Sequence, residues 1–179
     1  QIRDMGLAFI PEDRHRQGLV LPMKVWENII LGQHRKREFY KKPFIDGKSV
    51  ESFTDKTVKE YSVSLSSINQ AIEGLSGGNQ QKVILGRELS KNPSVIVAAQ
   101  PTRGLDIGAI EFVHRELLKR RQEGKAILLI SADLEEVLAL SDKVGVIYNG
   151  QIVAEFVPED VTLEDVGVYM LGGKAGESA

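Results

Sequence analysis

At 179 residues, 42% apolar and 27% charged, the chain has the make-up of an ordinary soluble globular protein with enough length for a buried core. Twenty-three Lys and Arg against 25 Asp and Glu leave a net charge of −2, which argues against a protein that works by wrapping nucleic acid. It has no cysteine, hence no disulfide framework and no thiolate chemistry, and its longest apolar runs, around Val95 to Ala99 and Ala126 to Ala132, fall far short of the ~20 residues that span a bilayer. The first residues, Gln1 to Met5, contain no apolar signal core.

Short apolar runs rich in β-branched residues stand at Gly6 to Ile10, Ser94 to Ala99, Ala126 to Ser131 and Val144 to Tyr148. Their continuous apolar character predicts strands buried on both faces. Residues 20 to 90 read instead as a polar, helical insertion between the first two strands, with a loose middle from Lys36 to Ser52. Gly108 to Glu123 sets Ile110, Val113, Leu117 and Leu118 on one helical face. Asp133 then reads as an N-cap, with Glu136 at the capping-box spacing. Strand, helix, strand, helix in this order predicts a parallel α/β layer. Asn149-Gly150 predicts a hairpin joining Val144–Tyr148 to Ile152–Phe156, and a short final helix starts near Thr162, with Asp165 three residues on.

The insertion carries two local patterns of limited weight. His34 to Lys42 holds five Lys or Arg with Phe39 and Tyr40 between them, which reads as a solvated face in a chain of net negative charge. Trp26 opens a helical run with Ile29 and Ile30 and reads as core. On the later helix, Glu111, His114 and Arg115 read as a polar side; no metal-ligand spacing emerges anywhere in the chain.

Glu73 to Lys82 is the most informative stretch. Ser76 sits where an N-cap belongs, Gly77 and Gly78 follow, and a helix is expected from Gln80 to Leu89. Glycines let backbone N–H groups approach a ligand, and a helix N-terminus carries partial positive charge, so the segment suits a terminal phosphate. A plain capped helix after a glycine turn satisfies the same residues.

Leu75-Ser76-Gly77-Gly78 resembles the signature motif of the ATP-binding cassette (ABC) ATPases. The resemblance continues through Lys91-Asn92-Pro93, Pro101-Thr102-Arg103-Gly104-Leu105-Asp106, Ile127 to Asp133, Ser141-Asp142-Lys143 and Asn149-Gly150. Four letters alone are common; the ordered set is specific. Phe9 to Arg14 is similar to the second cassette of sugar or nucleoside importer ATPases. The resemblance covers nearly the whole chain and is thinnest over Lys36 to Ser67. It implies an α/β, P-loop NTPase-like fold: a single cassette domain over residues 1–179. Within it, residues 20–90 would be the helical subdomain carrying the signature, and 91–179 the sheet core and C-terminal elements.

Several of the family's catalytic positions carry other residues. No G-x-x-x-x-G-K-[ST] loop is present: Gly47-Lys48-Ser49 comes nearest, but Lys42 occupies the first glycine position, and neither a buried strand before it nor a periodic helix after it is expected. The chain therefore looks like a C-terminal fragment of a cassette, expected to expose a sheet edge and to associate. Ala99 and Gln100 stand where the family has a metal-ordering Asp and a water-orienting Glu. Ala132 replaces the expected switch histidine, and Glu12 a glutamine that senses the γ-phosphate. An alanine binds no metal shell, and a carboxylate at Glu12 repels phosphate.

In the family two cassettes pair head to tail, and the signature of one closes over ATP held by the other. The resemblance thus implies that Ser76, Gly77, Gly78 and Asn79 contact ATP, with its Mg, only at a composite site. The D-loop residues Gly104, Leu105 and Asp106 would then line the interface. It implies a second cassette and membrane permease subunits as partners, no nucleic acid, and a peripheral place on the inner face of the cell membrane. The alternative is a scaffold or regulatory module of the same transporter that binds no nucleotide. DNA-repair ATPases share the signature, but no heptad run for their coiled coils exists here.

Overall fold

The computed structural model describes residues 6–34, 36–41 and 44–173. Readings that rest on the first five residues, on Arg35, or on Lys42 and Pro43 lie outside the described residues. The chain forms two compact units that divide after Leu128, a different division from the compositional one near residue 90. The first unit contains β1 (Leu7–Ile10), a π-helical turn at Arg14–Gly18, α1 (Val25–Ile30), and the two-residue strands β2 (Tyr40–Lys41) and β3 (Phe44–Ile45). It continues with α2 (Gly47–Glu60), α3 (Gly77–Leu89), β4 (Val95–Ala99), α4 (Ile107–Gln122) and β5 (Ala126–Ile130), whose last residues pass into the second unit. That second unit holds α5 (Leu134–Leu140), β6 (Val144–Tyr148), β7 (Gln151–Phe156) and α6 (Leu163–Met170).

The expected parallel layer is present. β1 and β4 pair in parallel, Leu7 opposite Val95 and Ile10 opposite Ala98, and the sheet order is β1-β4-β5. Burial on both faces is not. Ala8, Ile10, Ile96 and Ala98 are fully buried, whereas Phe9, Val95 and Leu128 keep 44%, 39% and 55% of their surface exposed. The helices explain the asymmetry, because they gather around α3 rather than sandwiching the sheet. α3 packs on β1 and also meets α1, α2 and α4. Its Val83, Ile84, Leu85 and Leu89 are all buried, each contributing ~1.5–3 kcal/mol of transfer free energy. Gly86 permits the α2 contact: a Cβ there would stand 2.7 Å from Thr57 Cγ2.

Two further departures lie in the insertion and on α4. Gly47 opens a 14-residue helix inside the stretch expected to be loose. The strand before it is a two-residue exposed piece paired with β2, outside the parallel sheet, so Gly47-Lys48-Ser49 is the first turn of α2, where Ser49 Oγ donates to Asp46 (2.7 Å). On α4 the buried face includes Glu116 and Arg120 beside Phe112, Val113 and Leu117. Arg120 Nη2 donates to the hydroxyl of fully buried Tyr61 (2.8 Å), which ties the end of α2 to α4. Burial pushes the Tyr61 phenol up to about 12.

In the second unit the expected turn chemistry forms. Asn149 and Gly150 have φ of 48° and 77°, the two positive values of a type I′ hairpin turn between β6 and β7. Asp133 caps α5 by accepting from the Glu136 N–H (3.1 Å), and Thr162 and Asp165 close a reciprocal capping box on α6. Val144, Val146 and Val166 form the buried centre, with Phe156 edge-on to Tyr169.

Candidate functional site

Ser76 caps α3 through its side chain. Its Oγ accepts from the Asn79 N–H (3.4 Å) and from Asn79 Nδ2 (3.0 Å), while Asn79 Oδ1 accepts from the Ser64 N–H (2.7 Å). The helix therefore starts at Gly77, three residues before the expected Gln80, and both glycines belong to its first turn. Their N–H groups have no partner within the helix.

Asp106 caps α4 in the same way, its Oδ1 accepting from the Ala109 N–H (2.9 Å). The two helix starts meet at Gly78, where a Cβ would stand 2.9 Å from Ala109 Cβ and 3.2 Å from Asp106 Oδ2. Only glycine allows this approach without displacement. The result is an open pocket of about 330 Å³ lined by Ser64, Ser76, Asn79, Lys82, Asp106 and Gly108, among others. Two helix N-termini and the Lys82 ammonium favour an anion there, and the Asp106 carboxylate on the same lining opposes one. Lys82 is also engaged locally, donating to the Ser62 carbonyl (3.1 Å) and lying 5.0 Å over the Phe112 ring.

The expected residues Ser76, Gly78, Asn79 and Asp106 thus share one pocket, with Gly77 beside them. Gly104, at φ +67°, and Leu105, whose N–H donates to the Thr102 carbonyl (3.2 Å), form the turn that leads to Asp106. Buried Gln81 holds that loop to α3 by donating to the Pro101 carbonyl (2.8 Å).

Glu12 lies across a neighbouring hollow, ion-paired with Arg103. Ala99 ends β4, and Gln100 follows it with a left-handed φ of 46° while its carbonyl accepts from the Arg103 N–H (3.2 Å). Ala132 is an exposed residue after β5. No carboxylate, thiol or imidazole occupies these last three positions. Among the described residues no group of three His, Asp or Glu is arranged to hold a metal ion, and no helix is long and apolar enough to cross a membrane.

Sequence reasoning missed Arg14 and His15, which tie the turn after β1 to this site. Arg14 Nη1 donates to the Arg103 carbonyl (2.9 Å), and His15 Nε2 is 2.9 Å from Gln80 Oε1 on α3. Their signal was local, in Pro11-Glu12-Asp13-Arg14, but nothing in the spacing says what they reach. Trp26 is half-buried against Ile30, Phe39 and Val50, as a core residue, and also edges a groove of about 430 Å³ with Ile45, Val50 and Ile68.

No family model matches the chain. It is 43% identical to the nucleoside import ATP-binding protein NupA of Lactococcus lactis subsp. cremoris, over 99% of this chain and 35% of that protein. The guanosine import ATP-binding protein NupO of Bacillus subtilis is 42% identical over 99% of this chain and 35% of its own length. The ribose import ATP-binding protein RbsA of Oceanobacillus iheyensis is 38% identical, over 96% and 34%. The chain thus spans about a third of the length of these curated relatives. Among solved structures, two dimeric structures of the ATP-binding cassette MJ0796, one in a post-hydrolysis state with ADP and Pi, match with TM-scores of 0.71 and 0.70. Each is 23% identical and covers 88% of this chain and 65% of that one. Along nearly its whole length the chain is similar to the ATP-binding proteins of nucleoside and sugar importers, and it has the fold of an ATP-binding cassette.

Proposed function

We propose that this chain is part of the ATP-binding subunit of a nucleoside or sugar importer and works by lending its signature to a partner cassette. Ser76, Gly77 and Gly78 cover the terminal phosphates of Mg-ATP held by the partner, Asn79 lies towards the ribose, and the Gly104–Asp106 turn crosses the interface. The chain's own hydrolytic positions, Glu12, Ala99, Gln100 and Ala132, are inactive: a neutral Gln100 is a poor base and the alanines offer no ligand. The helical region within residues 20–90 transmits closure to a membrane permease, which keeps the protein peripheral on the inner membrane face. Nucleic acid is not a partner.

The observation that carries this reading is the convergence of two capped helix starts on one open pocket, at Ser76–Gly78 and Asp106–Gly108. Two helix N-termini at a shared opening favour a phosphate supplied from outside the chain. The names and cassette fold of the relatives support the choice of ATP and of a second cassette. The test is Ser76→Arg in the intact ATP-binding protein, which fills the pocket without touching the partner's own phosphate loop. Steady-state Mg-ATP hydrolysis should fall by at least about tenfold, since the signature donors act in the transition state. Undiminished hydrolysis would overturn the reading and return the chain to a scaffold role.

A further inference from the structure

Arg14 sits on the turn after β1, yet its guanidinium reaches both the loop before α4 and the start of α3. Nη1 donates to the Arg103 carbonyl (2.9 Å), on the loop that ends in the Asp106 cap. Nη2 lies against the α3 start so closely that a Cβ on Gly77 would stand 2.9 Å from it, and a Cβ on Gly104 would stand 3.9 Å away. Its Nε is buried with no hydrogen-bond partner. An arginine free to move would turn that N–H to water.

The base of Arg14 is fixed from both sides. Asp13 caps its turn by accepting from the His15 and Arg16 N–H groups (3.0 and 3.1 Å), and those bonds, Arg16 first, hold the Asp13 carboxyl below its ordinary range. His15 pairs with Gln80 of α3, and Gly18 lies so near α3 that a Cβ would stand 2.6 Å from Ile84 Cδ1. A planar fork on a fixed stem adds a third tie between these segments, beside the Gln81 bond to the Pro101 carbonyl and the Gly78–Ala109 contact.

We infer that Arg14 is a positioning residue: it locks the Gly77–Gly78 start of α3 to the Arg103–Asp106 loop, so that the chain offers both to a partner's nucleotide as one rigid surface. The inference rests on the proposed trans reading. It also gives the segment around Glu12 a role other than phosphate sensing, since Glu12 is ion-paired with Arg103 of the same loop.

The test compares Arg14→Ala, Arg14→Lys and Ser76→Arg in the intact ATP-binding protein, reading kcat and KM for Mg-ATP. A misplaced signature acts on closure rather than on nucleotide capture, so Arg14→Ala should lower kcat about tenfold with KM within about twofold of wild type. Arg14→Lys should behave alike, because a point charge cannot span both contacts. Amide hydrogen exchange at Asn79, Leu105 and Ala109, whose N–H groups are bonded within the two turns, should quicken in both variants, which keeps the inference testable if Arg14→Ala folds poorly. Full activity in Arg14→Ala beside a dead Ser76→Arg overturns the inference and leaves the trans reading standing. Full rescue by Arg14→Lys also overturns it, since charge alone would then suffice. Full activity in Ser76→Arg removes the trans reading and this inference with it.

Discussion

Gly78 at the start of α3 meets Ala109 in the first turn of α4 so closely that a methyl group on Gly78 would stand 2.9 Å from Ala109 Cβ. This contact sets the distance between two helix caps, and through it the width of the pocket between Ser76 and Asp106. Gly78→Ala should force the helix starts apart and cost about 1–3 kcal/mol of stability by overpacking. Gly78→Ala with Ala109→Gly should recover part of that loss. Urea midpoints of the four proteins in this cycle measure the coupling; simple additivity would show that the two positions do not press on each other.

Asp106 is the side-chain cap of a 16-residue helix. Asp106→Ala should destabilise the fold by about 1 kcal/mol, whereas Asp106→Asn, which keeps an acceptor, should stay within a few tenths. Chemical denaturation of the three proteins distinguishes a capping role from a merely electrostatic one, which Asn would fail to preserve.

Tyr61 makes stability depend on alkaline pH. Its phenol titrates near 10 when unfolded and is pushed up to about 12 in the fold, so the folded state holds the proton more tightly. The stabilisation is complete below pH 10 and is lost as pH rises towards 12. Tyr61→Phe should remove this part of the pH dependence and cost about 1–3 kcal/mol at neutral pH, because buried Arg120 loses an acceptor. Thermal melts of both proteins between about pH 9 and 12, which spans the two values, check the sign.

Phe9, Val95 and Leu128 leave one face of the parallel sheet apolar and open. The chain as given should therefore associate in solution, and Phe9→Gln with Leu128→Gln should reduce that association. Light scattering over a concentration series reads the effect; a monodisperse monomer for the unsubstituted chain would contradict it.

Much of the architecture lay in the sequence because it depends on neighbours in the chain. The apolar runs at Leu7–Ile10 and Val95–Ala99, the Asn149-Gly150 turn and the Asp133 and Thr162 caps are local choices of backbone and side chain. Ser76 was legible as a cap from its place before Gly77 and Gly78, whereas Asp106 was singled out only through the resemblance. Periodicity was misleading where a helix face carries paired charges, as at Glu116 and Arg120, since burial there depends on Tyr61 arriving from 59 residues away. The open face of the sheet was equally hidden, because strand composition does not say that the helices gather around α3. What the sequence by itself determined was the strands of the parallel layer, the Asn149-Gly150 hairpin and the caps at Ser76, Asp133 and Thr162. Only the tertiary structure decided that Gly78 meets Ala109 and that Arg14 reaches both Gly77 and the Arg103 carbonyl. Those contacts join segments brought together by the β1–β4 pairing and the packing on α3, and no pattern within any one segment encodes them.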